Sequence, residues 1–549
     1  MNAPRAGGDT WSARLGDGGR ERLAARLLEY VRGRRWFRAK ARVPRGARLV
    51  DLVPLDADAL PSANEVLGLL EVSYAEGEAD HYVVPLSRRN ADITPDRDQA
   101  RPTEDLRDGL VTGTAAAALF DLASTAGSRR GEAGQLHGNA SPLFAEVMRD
   151  ERPLPRVPRL EQTNSTVMFG DRALLKVYRR LESGPSPEVE MGEYLTRNCR
   201  PPCAPRVLGT VTYHPDDGPP RALGIVHELV ANDGDAWSLA LRELDQFFSR
   251  VSSPAPNLPR LAGGPSLLTA LARAPWPAAE ATIGPFYRHA GVLGRRIGEL
   301  HLALARGAAA EEAGADFLPE PLTASDRAAV AARAGGMLDR ALETLRAKLE
   351  TDAASLGGEA SLLARASLAP GAREALRRQL AEVRDEPLDA QKTRTHGDLH
   401  LGQILALAGG GFTIIDFEGE PARPLAERRA KASPLRDVMG MVRSFDYAPA
   451  AALRERHAAS AATSTRTELP HWGRLWTREI TLAFLRAYFA TVGSAAFIPR
   501  DREQLARLLT IFELEKVIYE VGYELDNRPD WVGIPLAGLS AIAASGEAT

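Results

Sequence analysis

One stretch constrains this chain more than any other: "THGDLHLGQ", residues 395–403, followed by "FTIIDFEGEP", residues 412–421. Asp398 follows a His-Gly pair, Gln403 lies five residues later, and Asp416 ends a short apolar run thirteen residues beyond Gln403. The apolar run predicts a buried β-strand, which would leave Asp416 at the end of that strand. The pattern therefore predicts two carboxylates and one amide that meet in a cleft.

These three side chains suit phosphoryl transfer. That reaction needs metal ligands, a cation near the phosphates and an acid that orients the attacking hydroxyl. Mg²⁺ prefers oxygen ligands, so Asp416 and the side-chain oxygen of Gln403 are candidate metal ligands. Asp398 is the candidate acceptor of the proton of a substrate hydroxyl. A purely structural origin, with Asp398 in a turn and Asp416 at a strand end, is the weaker interpretation because all three residues occur in the required order.

The composition excludes several classes of protein. The chain has 549 residues, too many for one ordinary hydrophobic core, which predicts two or more domains. With 69 basic and 72 acidic residues, its net charge of −3 gives no electrostatic case for a nucleic acid or an anionic membrane as partner. We expect no secretion signal and no membrane span, and we expect Cys199 and Cys203 to be reduced thiols. These features predict a cytoplasmic protein.

The predicted elements change from β-rich to helical along the chain. Strands are predicted at 47–55 and 71–85, whereas the small and polar residues 122–140 predict a loop. Short strands with one intervening helix follow between residues 158 and 230, and the remaining sequence is mainly helical. This order predicts a small β-rich lobe followed by a larger helical lobe, which is the outline of kinase-like folds.

The motif and its surroundings resemble a known enzyme family. The spacing of Asp398, Gln403 and Asp416 is similar to that of the catalytic loop and metal-binding aspartate of protein-kinase-like enzymes. Within that superfamily, residues 396–448 look like the bacterial maltokinases, relatives of aminoglycoside phosphotransferases, and so does "EKVIYEVGYELDNRPDWVGIPL" at 515–536. The resemblance implies an α+β, protein-kinase-like bilobal fold with an N-terminal cap subdomain, a small β-rich N-lobe and a large, mainly α-helical C-lobe.

The resemblance also implies a division of the chain and an activity. The expected parts are an N-terminal cap subdomain at 1–100, an ATP-binding N-lobe subdomain at 101–230, and a helical C-lobe at 231–549 with the catalytic loop and sugar site. The implied reaction is ATP- and Mg²⁺-dependent phosphorylation of maltose at its anomeric hydroxyl, giving maltose 1-phosphate for α-glucan (glycogen) synthesis. Because the maltose comes from trehalose isomerisation, trehalose synthase is an implied partner.

Two other functions stay open. A kinase of another sugar, of an amino sugar such as glucosamine, or of an aminoglycoside would keep the same fold. A non-catalytic kinase-like module would bind a sugar or a protein partner, but such modules usually lose the metal acid or the base. Lys176, Asp398, Gln403 and Asp416 are all present, which disfavours this second alternative.

Lys176, in "ALLKVY", is the candidate cation for the nucleotide phosphates. A lone lysine on a strand is usually solvated, but a helix predicted at 187–197 offers an acidic partner for it. The family resemblance selects Glu190 for this ion pair, with Glu188 and Glu193 as neighbours on the same helix.

Two further segments are candidate ATP contacts. The turn that contains Thr163, Asn164 and Ser165 supplies backbone N–H groups and hydroxyls for phosphate oxygens, although an ordinary polar hairpin explains it equally well. Backbone groups of Glu228 and Val230 are expected to pair with the adenine edge.

The helix predicted at 514–525 is the candidate sugar wall. Its apolar residues lie on one face of the helical wheel, as for a core-facing stripe. A solvated surface is the alternative for its opposite face, which is predicted to carry Lys516, Tyr519, Glu520, Tyr523 and Glu524.

Three other residues are candidate sugar contacts. Trp531 is either an aromatic platform or a core residue. His400 and Arg423 flank the motif and either touch the sugar or brace the loop, Arg423 through Glu418 or Glu420. On the helix that follows, structural ion pairs are expected for Arg436, Asp437 and Arg443.

Overall fold

A computed structural model of the protein describes residues 16, 18–40, 42–56, 63–88, 106–149, 153–158, 164–252, 267–306, 315–459 and 468–547. The chain forms two compact units, a first unit of Met1–Arg197 with Ala204–Ala231 and a second unit of Asn198–Cys203 with Asn232–Thr549. The three-part division expected after residues 100 and 230 stays a prediction. Among the described helices, none combines the length and the apolar composition that crossing a bilayer requires.

The first unit contains two antiparallel β-sheets. Its strands are β1 (Pro44–Pro54), β2 (Glu65–Tyr74), β3 (Asp80–Arg88), β4 (Leu106–Asp108), β5 (Ser128–Arg130), β6 (Gly134–Ala140), β7 (Pro155–Arg156), β8 (Ser165–Phe169), β9 (Ala173–Val177), β10 (Arg180–Leu181), β11 (Val207–Pro215) and β12 (Arg221–Glu228). The five-stranded sheet has the order β1-β2-β3-β10, with β4 also paired to β3. The seven-stranded sheet has the order β5-β6-β11-β12-β9-β8-β7.

Short helices cover these sheets. They are α1 (Gly19–Arg32), α2 (Gly109–Thr112), α3 (Thr114–Ser124), α4 (Leu143–Met148) and α5 (Pro187–Asn198). Helix α1 buries Leu23, Leu27 and Val31, which recur every four residues, in a core that includes residues of the five-stranded sheet. Helix α3 contributes Phe120 to a second core, where its ring stacks on Phe169 with 3.9 Å between centroids.

One continuous segment, residues 173–181, belongs to both sheets of the first unit. Strand β9 places Lys176 in the seven-stranded sheet, and β10 then pairs with β3 in the five-stranded sheet. Between the two strands, the carbonyl oxygen of Arg179 accepts a hydrogen bond from the N–H of Val83 at 2.8 Å. The strand that carries the candidate phosphate-binding lysine is therefore joined directly to the N-terminal sheet.

The second unit is mainly helical. Its α-helices are α6 (Ala236–Val251), α7 (Leu267–Leu271), α8 (Ala279–Ile283), α9 (Phe286–Leu304), α10 (Ala324–Asp352), α11 (Gly358–Leu368), α12 (Pro370–Asp385), α13 (Leu425–Arg429), α14 (Leu435–Ala459), α15 (Leu469–Val492), α16 (Arg502–Asn527) and α17 (Gly533–Glu547). Its 3₁₀ turns are Ala315–Phe317, Ala353–Leu356, Leu401–Gln403 and Pro529–Trp531. Helices α9 and α15 form its centre, with Phe286, Trp476, Phe484 and Tyr488 buried between or beside them.

Five short strands complete the second unit. They are β13 (Asn232–Asp235), β14 (Glu320–Pro321), β15 (Gln391–Lys392), β16 (Ile404–Leu407) and β17 (Phe412–Ile414). Strands β13, β16 and β17 form one sheet in that order, and β14 pairs with β15. The predicted buried strand before Asp416 is confirmed as β17, whose three residues are all buried.

The change from β-rich to helical structure confirms the α+β class, but two local predictions were wrong. The stretch expected as strand over 71–85 is not one strand but the end of β2, a turn and most of β3, since β2 ends at Tyr74 and β3 begins at Asp80. The loop expected over 122–140 contains the end of α3, then β5 and β6. Small residues are required there for packing, because a Cβ on Gly138 would lie 1.9 Å from the carbonyl oxygen of Leu122.

We expect Gly138→Ala to lower the free energy of unfolding by about 3 kcal/mol or more, since a backbone atom cannot move aside without breaking the pairing of β6 with β11. Urea denaturation followed by circular dichroism, which reports on both units, measures this change. Gly291→Ala in α9 is the matched control, because no atom lies within 4 Å of its added Cβ, and it should stabilise by about 0.5–1 kcal/mol. Equal stabilities of the two variants would contradict the packing role of Gly138.

Candidate active site

One buried carboxylate holds the loop that presents Asp398. Asp437 on α14 is 2% exposed and accepts hydrogen bonds from the backbone N–H groups of His396 at 2.7 Å and Gly397 at 2.9 Å. Its Oδ2 also lies 3.3 Å from Nε2 of His301, which is fully buried. Gly397 has a φ of +82°, which favours glycine and turns the chain sharply just before Asp398.

His396 links this loop to the end of β17. Its Nε2 lies 2.9 Å from the carbonyl oxygen of Ile415, and its Nδ1 accepts the N–H of Asp398 at 3.3 Å. Its ring packs against Phe417 with 4.9 Å between centroids. His396 therefore braces the loop against the end of β17.

Gln403 and Asp416 meet as the sequence predicted. The N–H of Ile415 donates to the carbonyl oxygen of Gln403 at 3.0 Å, and Nε2 of Gln403 donates to Oδ2 of Asp416 at 2.9 Å. In the second bond the N–H₂ group of Gln403 faces the carboxylate, and the amide oxygen remains as the hydrogen-bond acceptor of that side chain. Asp416 has a φ of +66°, uncommon for a residue other than glycine and frequent at functional sites. A carboxylate beside an amide oxygen is a donor set that fits Mg²⁺.

A pocket lies beside Asp398 in the second unit. It encloses about 390 Å³ of empty space, part of which is open to solvent. Nζ of Lys516 lies 3.5 Å from Oδ1 of Asp398, and both side chains are half-buried. Phe512 and Tyr519 also line the pocket, so apolar rings and charged groups face the same space.

Glutamates and arginines alternate along the pocket wall. Glu420 accepts from Arg423 at 2.7 Å and from Arg436 at 3.3 Å. Glu515 accepts from Arg333 at 2.9 Å and from Arg423 at 3.3 Å. Burial alone would raise the pKa of Glu515, but the three arginines outweigh it and lower the pKa. Arg423 therefore braces the wall through Glu420, as one of its two expected roles, while it also lines the pocket.

His400 is a bracing residue in this structure. Its Nδ1 accepts the N–H of Gly402 at 3.1 Å and so caps the 3₁₀ turn that contains Gln403. Burial lowers the pKa of His400, and the carboxylates of Asp398 and Asp416 oppose that shift. The imidazole is thus a neutral group near both acids.

Tyr519 and Tyr523 lie on α16 as predicted, one turn apart. Their rings stack with 6.2 Å between centroids and an interplanar angle of 24°. Tyr519 lines the pocket beside Lys516, and Tyr523 is 44% exposed. Burial, followed by the charges of Glu420 and Asp398, raises the pKa of Tyr519, so its hydroxyl stays protonated.

The predicted two-face division of α16 was wrong for its acids. Glu520 is only 7% exposed, and its carboxylate accepts from Arg443 at 2.8 and 3.0 Å. Glu524 is also buried and bonds to Arg528 at 2.7 Å and Tyr447 at 3.1 Å. Because α14 and α17 pack beside α16, its second face is interior rather than solvated, and Glu520 has a structural ion pair instead of a sugar contact.

Trp531 is not among the residues that line the described pocket. Its ring stacks on Tyr447 with 6.3 Å between centroids, and the guanidinium groups of Arg454 and Arg528 lie 4.7 and 4.8 Å from its centroid. These contacts occupy the ring, so the structure favours the packing role for Trp531 over the sugar platform.

In the first unit, Lys176 forms a buried ion pair. Its Nζ lies 2.8 and 3.0 Å from the two carboxylate oxygens of Glu188, which also accepts from Tyr178 at 2.7 Å. Burial alone would raise the pKa of Glu188, but Lys176 and His227 together lower it. Glu190 was predicted as the partner of Lys176, and this prediction was wrong. The partner is Glu188, two residues earlier on α5.

The other candidate ATP contacts are described only in part. Thr163 lies outside the described residues, and Asn164 directly precedes β8. Ser165 begins β8, and its Oγ accepts from Nε of Arg179 at 2.7 Å. The N–H of Glu228 donates to the carbonyl oxygen of Arg206 at 2.8 Å, so an adenine contact of its backbone must use the carbonyl group.

Sequence reasoning missed the residues that hold the site together. Asp437 was interpreted as an ordinary ion-pair residue, and Glu420, Glu515 and His301 were not assigned to the site. The available signal was an acid among apolar neighbours, "LRDVMG", since a carboxylate on a buried helix face needs donors nearby.

Several known proteins are similar to this chain. Residues 30–121 match the maltokinase N-terminal cap domain. A glucosamine kinase of Mycolicibacterium smegmatis is 28% identical over 451 residues, which cover 81% of this chain and 91% of that protein. A glucosamine kinase of Streptacidiphilus jiangxiensis is 30% identical over 148 residues, 27% of this chain and 31% of that protein. The solved structure of a glucosamine kinase in complex with glucosamine, ADP and inorganic phosphate has a TM-score of 0.59 and 22% identity, covering 94% of this chain and 98% of that one.

The resemblance to maltokinases and their kinase relatives is confirmed. The structural likeness shows that the chain has the glucosamine kinase fold, which confirms the predicted kinase-like fold with an N-terminal cap. These relatives are sugar kinases by name, so the comparisons support a phosphotransferase and leave its acceptor undecided.

We expect Asp437→Asn to lower the free energy of unfolding by about 2–4 kcal/mol at pH 7. The asparagine has only one acceptor oxygen, so its N–H₂ group would face one of the two backbone N–H groups, of His396 or Gly397, that now bond to Asp437. Burial would raise the pKa of Asp437, but bonds from His301 and the loop amides lower it below its ordinary 3.8. Its stabilisation is therefore present above that value and lost as pH falls through the folded pKa. Denaturation from pH 7 to 3.5 should show the gap between variant and wild type narrowing below about pH 4.

Asp339→Asn is the control for this measurement. Asp339 pairs with Arg377 at 2.7 Å, but both side chains are 56% exposed. Such a surface pair contributes at most about 1 kcal/mol. A similar loss in both variants would show that Asp437 does not hold the loop.

Proposed function

We propose that this chain is an ATP-dependent kinase that transfers a phosphoryl group to a sugar hydroxyl, and that its acceptor is maltose. The observation that carries the proposal is the braced loop of the second unit, with Asp398 at a pocket and Gln403 bonded to Asp416. The sugar-kinase relatives and the cap-domain match support the same reaction class.

Asp398 is the proposed general base. It accepts the proton of the sugar hydroxyl as that oxygen attacks the γ-phosphorus, and the bond from phosphorus to the β-γ bridging oxygen breaks to release ADP. Nζ of Lys516 lies 3.5 Å from Oδ1 of Asp398, and both side chains face the pocket. Because His396 and Asp437 fix the backbone on either side of Gly397, the carboxylate needs little reorganisation before transfer.

Asp416 and the amide oxygen of Gln403 are the proposed metal ligands. A bound Mg²⁺ would neutralise charge on the nucleotide phosphates. The hydrogen bond at 2.9 Å between the two side chains fixes the amide so that its oxygen serves as ligand and its N–H₂ group does not. Lys176, oriented by Glu188, is the proposed cation for the phosphates of ATP, and the backbone carbonyl of Glu228 with Val230 is the proposed contact of the adenine edge.

The charge balance of the pocket supports a neutral sugar. Glu420 and Glu515 are each shared between arginines, so neither carboxylate carries uncompensated charge. Such a wall offers many hydrogen-bond donors and acceptors to hydroxyl groups but little net attraction to an ammonium group. Maltose, phosphorylated at its anomeric hydroxyl to maltose 1-phosphate, fits this wall and the maltokinase-type cap. The predicted partner, trehalose synthase, and the predicted cytoplasmic location stay predictions.

Glucosamine is the second candidate acceptor. Both relatives named above carry the name glucosamine kinase, and so does the solved structure that has a TM-score of 0.59 to this chain. Asp398 and Asp437 add two further acids near the pocket, so an amino group placed close to them would find a partner. The acceptor therefore has to be decided by assay.

A coupled assay of ADP release should give the highest kcat/KM with maltose, on the order of tenfold or more above glucose, glucosamine and maltotriose. Loss of reducing-end reactivity in the product would show that the anomeric hydroxyl is the site. If glucosamine turns over and maltose does not, the maltose assignment is wrong while the kinase proposal holds.

Asp398→Asn should lower kcat by roughly 10²- to 10⁴-fold, because the amide cannot accept the hydroxyl proton. Calorimetry with Mg·ADP should give an unchanged Kd, since the proposed role of Asp398 is in proton acceptance and not in nucleotide binding. The exposed Asp385→Asn, at a surface pair with Arg384, is the control and should retain wild-type kcat. A wild-type kcat in Asp398→Asn would exclude it as the base.

A further inference from the structure

A fully buried ion pair lies between the two sheets of the first unit. Arg179 is 2% exposed, and its Nη2 lies 2.8 Å from Oδ2 of Asp108, which has no exposed surface. Buried charges are retained only when geometry and additional hydrogen bonds offset their lost hydration. The strand that carries Lys176 ends at Val177, and Arg179 comes two residues later, directly after Tyr178, which bonds to Glu188.

Asp108 is itself held from two sides. The hydroxyl of Tyr30 donates to its Oδ2 at 2.8 Å, and the N–H of Leu110 donates to its Oδ1 at 3.0 Å, so Asp108 caps α2. Both Tyr30 and Asp108 lie within residues 30–121, the part that matches the cap domain. The cap-domain segment thus presents a fixed hydrogen-bond acceptor to Arg179.

Two other nitrogens of Arg179 contact Ser165 at the start of β8 and Val83 on β3. Its Nε donates to Oγ of Ser165 at 2.7 Å, and its Nη1 lies 3.4 Å from the carbonyl oxygen of Val83. Ser165 begins the strand that pairs with β9, where Thr166 lies opposite Lys176. A planar guanidinium held by a carboxylate at Nη2 has little freedom at Nε, on the same edge, so it sets the position of Ser165.

We propose that Arg179 is a positioning residue through which the cap, by Tyr30 and Asp108, fixes Ser165 and the adjoining Asn164 for nucleotide binding. The chain of contacts Tyr30–Asp108–Arg179–Ser165 joins residues that lie between positions 30 and 179 of the sequence, at distances of 2.7–2.8 Å. This inference rests on the proposed function, because it assigns the phosphate side of the nucleotide to the segment that starts with Asn164.

Ser165→Ala tests the last contact. It removes the hydrogen bond from Arg179 but leaves the ion pair with Asp108, so the KM for ATP should rise about three- to tenfold, with kcat and the KM for sugar little changed. Ser165→Thr keeps the hydroxyl and should restore the KM. The matched control is Ser141→Ala, which loses a hydrogen bond of 3.1 Å to the carbonyl oxygen of Val207 and should leave the KM for ATP unchanged.

Tyr30→Phe separates positioning from direct phosphate contact by Ser165. Phenylalanine keeps the ring and removes only the bond to Asp108, so the KM for ATP should still rise, about two- to fivefold. In a double-mutant cycle with Ser165→Ala, the two effects should not add, because both variants loosen one network. If Tyr30→Phe leaves the KM for ATP unchanged, or if the two effects add fully, the inference is overturned.

Hydrogen exchange of the nucleotide-free protein gives a readout that needs no activity. Backbone amides of residues 164–169 should exchange faster in Tyr30→Phe and Ser165→Ala than in the wild type and in Ser141→Ala. Unchanged exchange in Tyr30→Phe would overturn the positioning role. Calorimetry of the wild-type protein with Mg·ADP tests the proposed function separately. If the nucleotide does not bind, the proposed function is refuted, while the exchange data still show whether Tyr30 positions residues 164–169.

Discussion

The bond between the Asp437 carboxylate and two successive backbone N–H groups determines the geometry of the candidate site. Successive amides normally diverge, and they converge on one side chain here because Gly397 adopts a positive φ. An ionised carboxylate has two oxygens and accepts both, with bonds stronger than those of a neutral acceptor. Its burial beside His301 excludes competing water. The direction of Asp398 is thus set by a residue of another element, α14, and not by its own loop alone.

Ion pairs likewise hold the side chains of the pocket wall in place. Each arginine that faces the pocket is committed to a glutamate, and each glutamate accepts from more than one arginine. Long side chains that hold one another lose their rotamer freedom on folding and not on ligand binding, which lowers the cost of recognition. A rigid array of donors and acceptors with little net charge suits a polyhydroxylated ligand. It suits a cation less, and this difference is the physical basis for favouring maltose over glucosamine.

Much of the site followed from sequence because its signals are local in the chain. The run that ends at Asp416 formed β17, and Gln403 met Asp416 because β16 and β17 are neighbours along the chain. The predictions that were wrong depended on the angular position of side chains around helices. Glu188 and Glu190 differ by about 200° around α5, and spacing alone cannot select one. Glu520 was predicted to contact the sugar because the sequence of α16 does not reveal that α14 covers its second face.

The first unit shows why a cap domain matters to a strand far from it in sequence. Residues 173–181 form β9 in one sheet and, after only two intervening residues, β10 in the other. Any shift of the N-terminal sheet is therefore transmitted to the strand that holds Lys176. Two successive arginines follow this lysine strand, and both are anchored to cap acids: Arg179 to Asp108 and Arg180 to Asp80 at 2.8 Å. Removing the cap would leave two cations and an unpaired strand edge exposed, so it is an integral part of this unit's fold and not an appended module.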